Sequence, residues 1–94
     1  MTIVTPDGRF EWDDGKAIVN LAKHGVSFEE ATEVFFDPFA DEFPDLIYSG
    51  TEDRRITVGR TGRRIVIAVV HVHRDERIRS ISARETVRRG TSRR

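Results

Sequence analysis

Two groups of residues in this 94-residue chain have the types and spacing to handle a phosphate. Arg77, Arg79 and Arg84 surround Ser82 in the stretch RIRSISAR. The pattern predicts a strand passing into a helix at Ser82, where free backbone amides and forked guanidinium groups would together grip an anion. Helix starts normally carry acids, so arginine there favours phosphate over the plainer reading, an Arg84/Arg88 i, i+4 pair solvating a surface helix. The second group is Lys23 and His24, the last polar residues of a predicted helix. Cleaving a phosphodiester with its own 2′-hydroxyl needs a base at that hydroxyl, an acid at the leaving oxygen and cations around the charged transition state. His24 or Lys23 beside the arginines could supply all three without a metal or other cofactor. The competing role for His24 is to cap the carbonyls ending its helix. His71 and His73 share one strand face, but with only His24 left as a third imidazole they read as two partly exposed histidines, not metal ligands.

The elements that must position these residues are written most clearly in KHGVSFEEATEVFFDP, from Lys23 to Pro38. Gly25 can close a helix in the left-handed conformation, and Ser27 with Glu30 has capping-box spacing, so a second helix starts at about Ser27. Val26 and Ala31 are spaced as a hydrophobic staple; Phe28, Ala31, Val34 and Phe35 share a face; Asp37-Pro38 ends the run. The first helix is capped by Asp13 or Asp14 and runs to about Lys23, with an apolar stripe of Ala17, Ile18, Leu21 and Ala22. Its opposite stripe, Lys16, Asn20, Lys23 and His24, reads as a solvated face.

Residues 1 to 8 give only a loose or weakly paired start, and Phe10 to Trp12 an edge strand or an aromatic plug against the core. Leu46 to Tyr48 suggests a strand after Pro44. Arg55 to Arg60 and Arg64 to His73 make a hairpin whose second arm, apolar on both faces, is the central strand. Arg77 to Ser82 is a last strand; Ser82 to Glu85 repeats the capping-box spacing and opens a basic helix through Arg89, stopped by Gly90, with 91 to 94 frayed. The expected fold is α+β: two N-terminal helices packed on a three- to four-stranded antiparallel sheet, with a short C-terminal helix, in one domain over residues 1 to 94.

Composition narrows the function. The chain has no cysteine, so it can hold neither a disulfide framework nor a thiolate metal site. Its longest apolar run, Ile65 to Val70, is too short to span a bilayer, and a cytoplasmic protein without membrane contact is expected. The formal net charge of zero conceals a division: residues 1 to 53 hold 13 acidic and 3 basic groups, and residues 54 to 94 hold 3 acidic and 13 basic, all arginine. Arginine over lysine favours a phosphate-rich partner, while pairing between the two halves accounts for only part of the set. The acidic stretch from Asp37 to Asp45 should keep RNA off its own surface.

FEWDDGKAIVNLAKHGVSFEEATEVFFDP, VGR at Arg60, VVHVHR in the central strand and RSISAR at Arg79 to Arg84 together resemble the BrnT family of type II toxins, over about residues 10 to 89. The resemblance implies a RelE-like ribonuclease fold, growth arrest through RNA cleavage and inhibited translation, and a BrnA-type antitoxin, encoded beside the toxin, that binds operator DNA. Matched residue by residue it points to Lys23, His24, Arg79, Ser82 and Arg84 as the catalytic set; Arg77, Arg88 and Arg89 are the further arginines expected to bind RNA through their charge. Ser80 stands where a second isoleucine is expected. Two rival readings use the same residues: an RNA- or ribosome-binding module that blocks translation by occupancy, and a surface whose arginines mainly meet an acidic antitoxin.

Overall fold

The computed structural model describes residues 1–48 and 50–86. Strands β1 (Thr2–Val4) and β2 (Phe10–Asp13) lead into helix α1 (Asp14–His24). Helix α2 (Phe28–Ala31) follows and tightens into a 3₁₀ turn at Thr32–Phe36; then come β3 (Asp41–Pro44), β4 (Arg55–Arg60), β5 (Val66–Arg74) and β6 (Arg77–Glu85). All six strands join one mixed sheet in the order β1-β2-β6-β5-β4-β3, antiparallel throughout except for the β2–β6 pair. The expectation of two N-terminal helices on a three- to four-stranded antiparallel sheet is therefore corrected on both counts.

The helices begin where their caps require. Asp13 accepts the Lys16 amide (3.0 Å), and Gly25, at φ 72°, donates back to the Leu21 carbonyl (2.8 Å). Ser27 Oγ accepts the Glu30 amide (3.0 Å), as the capping-box spacing implies. The second helix does not continue as α: the threonine, valine and two phenylalanines of TEVFF lose side-chain freedom in an α-helix, and the run finishes as 3₁₀ before Asp37-Pro38.

The extra strands lie at the sheet edges, where the hydrophobic pattern is weakest. The weakly paired start contains β1, folded back on β2 by a turn in which Asp7 accepts both the Thr5 hydroxyl (2.6 Å) and the Arg9 amide (3.0 Å). At the far edge β3 pairs with β4, and Pro44, which has no N–H to donate, ends it. Leu46 and Ile47 are not a strand. Asp45 accepts the Ile47 amide (3.2 Å) in a local turn, and both side chains are almost fully exposed.

The largest correction concerns the C-terminal helix. The Ser82 to Glu85 segment is strand, paired with β5 through Glu85 opposite Ile67. A capping-box spacing is a weak local preference; the long apolar β5, confirmed as an interior strand, offers a continuous ladder that overrides it. The remainder of the expected helix, Val87 to Arg89, with its Gly90 stop and the 91–94 tail, falls outside the described residues.

One face of the sheet carries the core. Phe10 and Trp12 from β2, Ile67 and Val69 from β5 and Ala83 from β6 pack against Val26, Phe28, Ala31 and Val34. Trp12 meets Phe28 edge-on (5.8 Å) and Phe10 tilts against Phe35 (5.4 Å). Gly59 of β4 lies so close to the 3₁₀ turn that a Cβ there would fall 2.9 Å from Val34 Cβ. Acids of the second helical segment anchor the β4–β5 turn: Glu30 takes Arg63 in a two-pronged pair (2.7 and 2.8 Å), and Glu33 accepts the Gly62 amide (2.7 Å). Among the described residues no helix is long and apolar enough to cross a membrane.

Candidate active site

Among the described residues no helix packs on the opposite face of the sheet, and a bulge in β6 determines what that face displays. His71 lies opposite Ser80 and Val70 opposite Ser82, so one step along β5 corresponds to two along β6 and Ile81 is the inserted residue. Strict alternation would put Arg79 and Ser82 on opposite faces. With Ile81 inserted, Ser80 and Ala83 both turn into the core (2% and 0% exposed), and Arg79, Ser82 and Arg84, facing Val72, Val70 and Ala68, share the open face. Ile56 and Val58 of β4 extend its half-buried apolar floor.

Helix α1 borders this face where β2 ends. The β2–β6 pairing stops at Glu11 opposite Arg79, leaving the later backbone of β6 without a strand neighbour on that side. Asn20 takes the strand's place. Its amide accepts the Ala83 N–H (3.1 Å), donates to the Ala83 carbonyl (2.8 Å), and donates again to the Val26 carbonyl (3.0 Å). Asn20 is consequently buried at 5% exposure, which corrects the reading of its stripe as solvated. This rotation also turns most of the expected apolar stripe of α1 outward, with Ile18 70% and Leu21 51% exposed, while Ala17 packs against the core.

Between α1 and β6 lies a cavity of about 350 Å³, lined by Lys16, Lys23 and His24 on the helix, Ser82 on the strand, and Val19 and Ile81 as its apolar part. Asn20, Asp13 and Gly15 complete the lining. The Lys16 amide, and after it the Met1 amine, hold the Asp13 carboxyl below its ordinary range, so the cavity contains one fixed anion beside two lysines. Three of the residues named from sequence, Lys23, His24 and Ser82, thus meet in one cavity. Arg84 stands two residues beyond Ser82 on the same strand face and is exposed.

Arg79 is differently employed. It donates to Glu11 (2.7 Å) from a side chain only 19% exposed, and Arg77 approaches the other Glu11 oxygen (3.7 Å) while donating to the Gly8 carbonyl (3.2 Å). The Glu11 carboxylate is almost fully buried, so it needs these guanidinium partners. Arg54, Arg55, Arg63 and Arg74 also make ion pairs with acids, which is the pairing between charge halves expected for part of the arginine set. Arg88 and Arg89 fall outside the described residues.

His71 and His73 are set apart from the cavity. Their rings stand 5.9 Å apart, but His71 is fully buried, within 2.8 Å of the Thr57 hydroxyl and edge-on to Phe35. Burial pushes its imidazole down to about 4, so the ring is neutral at pH 7. The small Ser80 opposite leaves room for that ring, a physical reason for serine where isoleucine was expected. Sequence reasoning passed over three residues of this region. Lys16 was on the polar stripe but carried no role, Asn20 looked solvent-facing, and Glu11 carried no signal beyond an acid between two aromatics.

The arrangement offers cations, a group able to move a proton and a hydroxyl at one end of an arginine-bearing sheet face, which suits a phosphodiester. Comparison with known proteins points the same way. The crystal structure of the Brucella abortus ribonuclease toxin, BrnT, is similar, with a TM-score of 0.66 and 32% identity over 82% of this chain and 94% of that one. No curated protein matches the chain. Residues 12–89 match the family model described as ribonuclease toxin, BrnT, of type II toxin-antitoxin system, a span that contains the cavity's Lys23, His24 and Ser82 together with Arg84, and the chain belongs to that family.

Proposed function

We propose that this protein is an endoribonuclease toxin that cleaves RNA with protein groups alone, inhibits translation and so arrests growth. The observation that carries the reading is the meeting of Lys23, His24 and Ser82 in one cavity beside Arg84. In the proposed reaction His24 or Lys23 takes the proton of the ribose 2′-hydroxyl as O2′ bonds to phosphorus. The P–O5′ bond breaks, and the leaving 5′-oxygen is protonated by the other member of the pair or by the Ser82 hydroxyl acting as a relay. The products are a 2′,3′-cyclic phosphate and a 5′-hydroxyl. Arg84 and the lysines stabilise the extra negative charge on the phosphoryl oxygens. Arg79 holds the scissile or adjoining phosphate while Glu11, which accepts from one of its guanidinium nitrogens, fixes its orientation, and Arg77, Arg88 and Arg89 guide the strand.

The neutralising partner in this reading is a BrnA-type antitoxin encoded beside the toxin, through which the pair reaches operator DNA; the ribosome is a further partner. The protein works in the cytoplasm. Single-turnover cleavage of a labelled RNA, measured beside RNA binding, tests the assignment. His24→Ala and Lys23→Ala are expected to lower the cleavage rate by about 10²-fold or more, the usual range for a positioned proton carrier, with binding nearly intact. Arg84→Ala should reduce both. Full cleavage in all three variants would refute the site, and tight binding without cleavage by the wild type would favour translation block by occupancy.

A further inference from the structure

The cavity between α1 and β6 holds two features that the chemistry at phosphorus does not use. One is apolar: Val19, 61% exposed on the helix, and Ile81, the inserted residue of the β6 bulge, both line it. The other is the Asp13 carboxylate, which is charged at neutral pH and would repel a phosphate set against it. Gly15 leaves that carboxylate uncovered, since a Cβ there would stand 3.1 Å from Asp13 Oδ2. An anion in an RNA-handling cavity has to face hydrogen-bond donors of the substrate, and those belong to its bases.

We propose that the Asp13 end of the cavity is a nucleobase slot that selects guanine in the nucleotide supplying the attacking 2′-hydroxyl, the base lying between Val19 and Ile81 and being read by Asp13 and Lys16. The inference rests on the reading of this cavity as the RNA-cleaving site. Proteins that read an unstacked base pack its faces against aromatic or apolar side chains and hydrogen-bond its edge; here the helix supplies one wall and the bulge the other. A volume of about 350 Å³ lies at the lower end of the small-ligand range of about 300–1,000 Å³, enough for one base and its ribose. Guanine is the base whose edge fits. Its N1–H and 2-amino group are adjacent donors for a carboxylate, and its O6 or N7 accepts from a lysine ammonium, whereas adenine, cytosine and uracil each offer a single donor group on that edge. Asp13 Oδ2 accepts the Lys16 amide and Oδ1 lies 3.3 Å from the Met1 amine, but an ionised carboxylate has about four acceptor sites, so each oxygen keeps one for the base. Lys16 and Lys23 stand two turns apart on α1, about 10 Å along its axis, so a base at the Asp13 end places its own 3′-phosphate toward Lys23, His24 and Ser82.

The test uses the full-length, antitoxin-free protein and single-stranded RNAs that differ only in the base 5′ to one scissile bond, with kcat/KM as the readout. Cleavage after guanine is expected to exceed cleavage after adenine, cytosine or uracil at least about tenfold. Inosine in place of guanine removes only the 2-amino group; it should slow the wild type about tenfold and change Asp13→Asn less than about twofold. Asparagine caps a helix as well as aspartate does, so α1 is expected to keep its start, and the inosine comparison in the wild type needs no variant. Equal rates after all four bases would overturn the slot while leaving the nuclease reading standing. An inosine penalty that persists in Asp13→Asn would overturn it as well. If the wild type cleaves no RNA, calorimetric titration with guanosine and adenosine 3′-monophosphates decides the slot by itself. Binding of the guanosine compound at least about tenfold tighter, with the difference lost in Asp13→Asn, supports it, and equal binding overturns it.

Discussion

Of the three histidines, His71 is the fully buried one, and burial fixes its charge. Its folded pKa of about 4 lies below the unfolded value of 6.5, so between those values the unfolded chain binds the additional proton. Stability is therefore unaffected by this group above about pH 6.5 and falls as the pH drops from 6.5 toward 4, by at most about 3 kcal/mol. Glu30 is distinguishable. Arg63, and after it Thr61, hold its carboxyl below 4.5, and its stabilisation is lost only at lower pH. Chemical denaturation at pH 7, 6 and 5 should show the decline in the wild type and its absence in His71→Leu. Asn20 is the other residue whose role is set by its partners. Asn20→Ala would strand the Ala83 N–H at the sheet margin and remove three hydrogen bonds, and a loss of about 2–3 kcal/mol is expected from urea unfolding. Position alone could not reveal this role. At i, i+4 from Lys16 and His24 the residue looks like part of a solvated stripe, and only the end of β2 pairing shows why a polar side chain must face inward.

At the scale of elements, local signals located what depends on neighbours in sequence. The α1 and α2 caps, Gly25 and the β4–β5 hairpin follow from side chains that act within a few residues. Sheet breadth does not. Thr2–Val4 and Asp41–Pro44 are short and largely exposed, with Ile3 the one side chain of β1 packed against the core, and they become strands because β2 and β4 present unpaired edges. The Ser82 to Glu85 spacing would have suited a helix start, but the ladder along β5 decides otherwise. The bulge at Ile81 is the most consequential feature hidden from a sequence reading, because the alternation of RIRSISAR conceals which arginines share a face with Ser82. Deleting Ile81 removes the bulge and makes the pairing regular, with Ser80 and Ala83 still turned to the core and Ser82 and Arg84 still on the open face. Such a variant is expected to fold with a urea midpoint near that of wild type, while the cavity loses the Ile81 side chain from its apolar wall and RNA cleavage slows.

For the whole molecule the charge division has a spatial meaning. Part of the arginine set is paired with acids of the first half, and Arg84, two residues beyond Ser82 on the open face, is exposed, while the acidic segment from 37 to 45 includes β3 at the far edge of the sheet. RNA affinity should therefore fall with salt, and Arg84→Ala should reduce the slope of log affinity against log salt by about 0.7, one phosphate contact on a single strand. A substitution at Arg63, engaged by Glu30, should leave that slope unchanged. The measurement that tests the central claim most directly is an analysis of the RNA ends produced by purified, antitoxin-free protein in EDTA, with Arg84→Ala and Arg79→Ala run beside it. Fragments bearing 2′,3′-cyclic phosphate and 5′-hydroxyl ends, strongly diminished in Arg84→Ala and reduced in Arg79→Ala, are the predicted result. Intact RNA in the wild-type reaction, or fragments with 3′-hydroxyl and 5′-phosphate ends, would contradict the account.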